Sequence, residues 1–288
     1  MGLSSLHLDA FYSAAQTLNF SQAAKELHIT QSALSQRIKS LEEDLGLTLF
    51  VRMPRGVALT DAGTRLLRYC QARNSLEQEL IEDLTGTNSE GIGGELRIGG
   101  YSSVIRSVIL PALAPFLRTN PKIRAHIQNA EMRHLQELLM TGVVDFIVTD
   151  GKIHRADMES IQLGEEEYVL VESRDHKIET ESFLDHDPED PITAQFLALQ
   201  STAPGSYKRS FMDEIYGICD GVALGLGRAV ISRHLIAGDD RLVVRAGFES
   251  MRVPVFLHYL NQPFYTELHK HVVSTLEAGC PALLQPSG

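Results

Sequence analysis

The chain has 288 residues, 43% of them hydrophobic and 22% charged, with a net charge of -11, which fits a globular protein of two domains whose cores need no disulfide or metal staple. Its three cysteines, Cys70, Cys219 and Cys280, form no CxxC pair; this argues against structural zinc and a disulfide framework and fits a reducing cytosol. No run of 18 apolar residues is present to span a membrane, and residues 1–16 lack the basic then apolar segments of an export signal, so a cytoplasmic location is expected.

The charge is uneven. Residues 1–60 balance five basic groups (Lys25, Arg37, Lys39, Arg52, Arg55) against five acidic ones, so the negative excess lies further on. A neutral segment with clustered cations can still bind phosphates, because the local field decides. In chain order, Leu8, Phe11, Ala14 and Ala15 recur at helical spacing. Ser21 is a candidate N-cap for a short helix over 22–27, His28–Thr30 reads as a tight turn, and Thr30 caps a helix from Gln31 to about Leu45, stopped by Gly46. Leu49–Arg52 and Gly56–Leu59 read as a two-stranded wing around Pro54–Gly56. Thr60 caps a long helix over 61–85, in which Ala62, Leu66, Tyr69, Arg73, Leu76 and Leu80 form a heptad seam with one polar member. Residues 86–94 have linker composition. Beyond them strands and helices alternate, which predicts an α/β domain with parallel sheets. The strands are expected at 95–99, 124–128, 145–149, 168–172, 183–186, 209–212, 229–232 and 253–259. Helices are expected at 104–117, 132–140, 193–200, 214–226 and 264–278.

Two short helices and a wing make a winged helix-turn-helix whose second helix presents Gln31, Ser32, Ser35, Gln36 and Lys39, side chains suited to base edges in a major groove. An ordinary helical bundle with a polar face would show similar spacing. The motif decides more. Phe20-Ser21-x-Ala23-Ala24-x-x-Leu27, Ile29-Thr30-Gln31-Ser32-Ala33-Leu34-Ser35, Leu41-Glu42-x-x-Leu45-Gly46, Leu49-Phe50-x-Arg52 and Leu59-Thr60-x-Ala62-Gly63 run without a gap and resemble the LysR-type transcriptional regulators. Ser32 stands where that family usually has Pro. More weakly, Asp145 and Val222–Gly227 match segments of its regulatory domain.

The resemblance implies a winged helix-turn-helix over 1–60, a linker dimerisation helix and hinge over 61–91, and a two-lobed α/β effector domain, like a periplasmic binding protein, over 92–288. Lobe I would be 92–164 with 260–288, and lobe II 165–259. It implies a sequence-specific promoter-binding regulator, not an enzyme, with double-stranded DNA, a small-molecule effector, a second copy of itself (dimer, then tetramer) and RNA polymerase as partners, without a cofactor, metal or membrane. Ser21, Thr30, Gln31, Ser32, Ser35, Gln36, Lys39, Arg52 and Arg55 are the candidate DNA contacts, and Leu66, Tyr69, Leu76 and Leu80 the candidate dimer contacts.

In such folds ligands sit beyond the carboxyl ends of strands. Those ends carry Tyr101, Ser102, Ser103, Asn129, Thr149, Asp150, His186 and Asp187. Serines at a helix start favour a carboxylate, and the aspartates an amine, so a polar effector is expected, anionic or zwitterionic. The same residues would also serve as caps and turns. The short stretch between 172 and 183, where the family carries a longer loop, predicts a more open rim. Gly225-x-Gly227 lacks the third glycine of a dinucleotide loop, and His269-x-His271 is poor metal spacing. Glu165–Glu167 reads as solvated surface and Cys219 as a buried apolar residue. The competing reading is an enzyme whose first 60 residues only help it oligomerise; no Gly-x-Ser-x-Gly elbow supports a hydrolase.

Overall fold

A computed structural model describes residues 2–53, 56–85, 91–201 and 205–285. Arg55 at the predicted wing tip and residues 86–90 of the predicted linker lie outside the described residues. The chain divides into two units, Met1–Gly94 with Glu137–Val144, and Glu95–Gln136 with Asp145–Gly288.

The first unit opens with α1 (Ser5–Thr17), α2 (Phe20–Glu26) and α3 (Gln31–Leu45), followed by β1 (Phe50–Met53), β2 (Gly56–Leu59) and α4 (Asp61–Thr85). Ala10, Ala14, Ala23 and Ala24 are buried where α1 crosses α2, and with Leu34 and Ile38 of α3 they form one core cluster. A second joins Leu8 and Phe11 to Leu41, Leu49, Leu67 and Cys70. Small side chains permit the close crossing, and the larger ones fill the space below it. The N-cap of α2 is Asn19, not Ser21: the Asn19 side chain accepts from the N–H groups of Ser21 and Gln22, so Ser21 falls inside the helix. The Thr30 side chain does cap α3, accepting from Ala33 N, and Gly46 ends that helix at φ 65°. Glu42 then ties the wing down, its Oε1 accepting from Leu49 N at 2.7 Å. The wing is an antiparallel pair in which Arg52 faces Val57. Thr60 Oγ1 accepts from Gly63 N at 3.0 Å. Gly63 has no room for a side chain, since a Cβ there would lie 2.2 Å from Leu49 O.

From β3 (Gly94–Gly100) on, a helical run comprises α5 (Ser102–Val104), a π-helical turn (Ile105–Ile109) and α6 (Leu110–Thr119). Next come β4 (Ile123–Asn129), α7 (Met132–Met140), β5 (Phe146–Thr149), β6 (Met158–Ser173) and β7 (Ser182–Asp185). The chain continues through α8 (Ile192–Ala198), β8 (Lys208–Phe211), α9 (Ile215–Ala223), β9 (Ala229–Ser232), β10 (Leu242–Val244), β11 (Met251–Leu260) and α10 (Glu267–Leu284). The expectation of parallel sheets is corrected. The main sheet runs β10-β6-β11-β5-β3-β4 with β9 also on β6, while β7 pairs β8 separately. β3–β5 and β7–β8 are parallel, whereas β6 runs antiparallel to β9, β10 and β11, and β11 runs antiparallel to β5. The 16-residue β6 and the 10-residue β11 carry the reversal. They join a first half built on β3–β5 to a second half built on β7–β10. The three-residue β10 has no counterpart among the expected strands, and α10 begins at Glu267 because Thr266 caps it, not at Phe264.

Candidate DNA interface and effector cleft

Burying Leu34, Ile38 and Leu41 turns the opposite face of α3 to solvent. Gln31, Ser32, Gln36 and Lys39 are exposed there and Ser35 is half-buried. Ser21 Oγ donates to Gln31 Oε1 at 3.0 Å, and Thr30 Oγ1 lies 3.0 Å from Ser32 Oγ, so the start of α3 and the start of α2 form one polar edge. Lys39 pairs only loosely with Glu43, 3.5 Å away with both exposed, and Arg52 is exposed on the wing. On α4, Tyr69, Leu76 and Leu80 are exposed. Leu66 instead packs partly against the winged-helix core. The polar seam member Arg73 turns to Asp9 of α1, 2.6 Å away.

The helical run after β3 starts with Ser102 half-buried and Ser103 buried. Across from it stands a polar cluster centred on Glu166, which is fully buried. Its carboxylate accepts from Tyr101 Oη (2.8 Å), Ser232 Oγ (2.7 Å) and, weakly, Tyr168 Oη (3.4 Å), and lies 2.6 Å from His234 Nε2. His234 Nδ1 is 2.9 Å from Ser107 Oγ, which donates to Ser103 O at 2.6 Å. Burial, then the Glu166 charge, pushes the Tyr101 and Tyr168 phenols well above their usual range, so both stay protonated and donate. Asp150 is exposed at its edge, yet loss of water around the carboxyl, and then the Glu166 charge, raises it above the ordinary carboxylate range. Arg106 stacks on Tyr216 of α9, 3.7 Å from the ring centre, and Tyr216 Oη donates to Ser102 O at 3.5 Å. Hydrogen bonds and stacking therefore cross from the helical run of the first half to the second half.

Among the expected effector residues, Tyr101, Ser102, Ser103 and Asp150 gather around this cluster. Thr149 is tied elsewhere, donating to Gly151 O (2.7 Å) and lying 2.8 Å from His258 Nε2. Asp187 closes its own turn by accepting from Glu189 N, Asn129 is exposed at the end of β4, and His186 lies 3.5 Å from Glu131. The segment after Glu172 is pinned by buried Arg228, which donates to Ile178 O and Thr180 O and pairs with Glu172 and Glu181.

Residues 6–64 match the model of the bacterial regulatory helix-turn-helix protein, lysR family, and residues 89–281 match the LysR substrate binding domain. The chain belongs to the LysR family of transcriptional regulators. The HTH-type transcriptional regulator YofA of Bacillus subtilis is 26% identical over 91% of this chain and 88% of that protein. Among solved structures, ArgP of Mycobacterium tuberculosis superposes with a TM-score of 0.78 at 22% identity, covering 99% of this chain and 98% of that one. LysG of Corynebacterium glutamicum with bound effector Arg superposes at 0.74 and 18% identity, covering 96% and 97%. At such identities the structural likeness establishes the fold: a winged helix-turn-helix followed by a LysR-type α/β effector domain.

For this LysR-type regulator, sequence reading overlooked Glu166, Tyr168, Ser232, His234, Ser107 and Arg106. The acidic run 165–167 was expected to be solvated, but it lies inside β6, and Glu166 is sealed in. Alternation was the available signal. Extending the strand back from Tyr168 by one period of two places Glu166 on the same face as Tyr168. Helical spacing likewise puts Ser107 one turn from Ser103.

Proposed function

We propose that this LysR-type regulator reads promoter DNA through α3, with Gln31, Ser32, Ser35, Gln36 and Lys39 toward base edges, Ser21 and Thr30 at the polar edge, and Arg52 and Arg55 of the wing on phosphates. The observation that carries this reading is the exposed amide and hydroxyl face of α3, capped by Thr30 and braced on a core of alanines. Tyr69, Leu76 and Leu80, exposed along α4, join two copies, with Leu66 at the inner end of the seam. A two-fold dimer reads a palindromic site. Tetramer formation, contact with RNA polymerase and a cytoplasmic location complete the proposal. The wing assignment is tested by gel shift: Arg52→Ala weakens binding to every sequence alike, whereas unchanged affinity removes Arg52 from the interface.

The effector is a small amino-acid-like zwitterion held near Tyr101, Ser102, Ser103 and Asp150. Serines at a helix start suit its carboxylate, and the negative charge of Asp150 and Glu166 suits its amine. The hydrogen-bonded path Ser103–Ser107–His234–Glu166 supports a link between occupancy of that seat and the second half. The regulator acts by binding and not by turnover. A thermal-shift screen of metabolites followed by titration of Ser103→Ala tests the site. Loss of affinity with DNA binding retained supports it, and full affinity counts against it.

A further inference from the structure

Three side chains from separate segments meet at the rim between the two halves: Glu131 in the β4–α7 connection, His186 just past β7, and Asp213 just ahead of α9. His186 Nε2 lies 3.5 Å from Glu131 Oε1 and 4.0 Å from Asp213 Oδ1, and all three ligand atoms fall within 4.8 Å of one another. We propose that Glu131, His186 and Asp213 bind a divalent d-block cation of the zinc class, which clips the first half of the regulatory domain to the second.

The chemistry of the donors selects the ion. One imidazole and two carboxylates suit zinc, cobalt or nickel, whereas an imidazole is a poor ligand for magnesium or calcium. Donors about 2.1 Å from a tetrahedral centre stand about 3.4 Å apart. The His186–Glu131 separation already meets that distance. Asp213, whose side chain is fully exposed, reaches it by rotating about its own bonds. Two carboxylates facing one imidazole carry an excess of negative charge that a divalent cation neutralises. Neither carboxylate has another ion-pair partner among the described residues.

The backbone that carries the imidazole is held in place. His186 N donates to Asp190 at 3.3 Å, and the preceding Asp185 is buried and hydrogen-bonded to Thr193 and Arg209. Waters fill the remaining positions, since the rim is open to solvent. Because Glu131 belongs to one half and the other two ligands to the opposite half, occupancy favours by mass action the arrangement in which the three ligands meet.

The test uses the full-length protein, stripped with chelator and titrated with cobalt(II), followed by visible absorbance and by bound metal after dialysis. The wild type is expected to take up one ion per chain, with ligand-field bands, and to melt higher with the metal. His186→Ala and Glu131→Gln each bind at least about 10-fold more weakly and lose the melting shift, while His271→Ala, at an exposed histidine off the site, binds as the wild type does. Circular dichroism establishes that the variants are folded. Uptake by His186→Ala equal to the wild type, or no uptake by the wild type at about 1 mM cobalt, overturns the proposal. Since no amino-acid effector is present, neither result depends on the effector reading.

Discussion

Glu166 Oε1 stands 2.6 Å from His234 Nε2, and both side chains are shut off from solvent. A buried hydrogen-bonded pair of this kind is expensive to break from one side, because the partner left behind stays buried with an unsatisfied polar group. Glu166→Ala, which leaves the Tyr101 and Ser232 hydroxyls and His234 without their common partner, is therefore expected to destabilise the regulatory domain by about 3 kcal/mol, and Tyr101→Phe, which removes one donor to the carboxylate, by about 1–3 kcal/mol. Urea unfolding measures both. In combination with His234→Ala the Glu166→Ala loss should be far from additive, and strict additivity would mean that the two side chains are not coupled.

His269 of α10 sits among Phe146, Tyr259 and Tyr265, and its Nε2 is buried without a hydrogen-bond partner among the described residues. Burial lowers its pKa to about 4. The unfolded chain then binds a proton more readily than the folded one, so stability is complete above about pH 6.5 and falls as the pH drops toward 4. His269→Phe should remove on the order of 2 kcal/mol of that pH dependence. Urea midpoints at pH 7 and pH 4.5 for the two proteins provide the comparison, and an equal drop in both would show that His269 is not responsible.

Gly63→Ala should destabilise the winged helix by about 1–3 kcal/mol, because its new methyl would lie 2.2 Å from Leu49 O and the first turn of α4 must move away. Melting of the N-terminal unit reads this directly. An unchanged melting temperature would show that α4 yields freely at its start.

Leu76→Glu combined with Leu80→Glu places like charges on the exposed stripe of α4. Light scattering should report loss of the dimer, and an intact oligomer would move the interface elsewhere.

The N-terminal unit was largely legible because its signals are local. The Thr30 and Gly46 caps, the wing and the 25-residue α4 follow from neighbours a few residues apart. The one misplaced cap, Ser21 for Asn19, is a contest between two good capping residues, which the Asn19 side chain wins by reaching two N–H groups. The sheet was less legible, since the direction of β6 against β11 depends on partners some 90 residues away. Of the cleft, the serines at the start of the helical run could be found from strand ends. Glu166 and His234 could not be found that way, because each is a polar residue that reads locally as surface and is buried through contacts with segments far away in the chain.

We propose above all that α3 reads DNA as one half of a two-fold pair. Selection of binding sites from a random duplex pool, followed by fluorescence anisotropy, measures this. The wild type should enrich a two-fold symmetric sequence, and Gln36→Ala should relax the preference at one position in each half-site by about 1–3 kcal/mol. An unsymmetric pool, or a Gln36→Ala profile identical to that of the wild type, would contradict it.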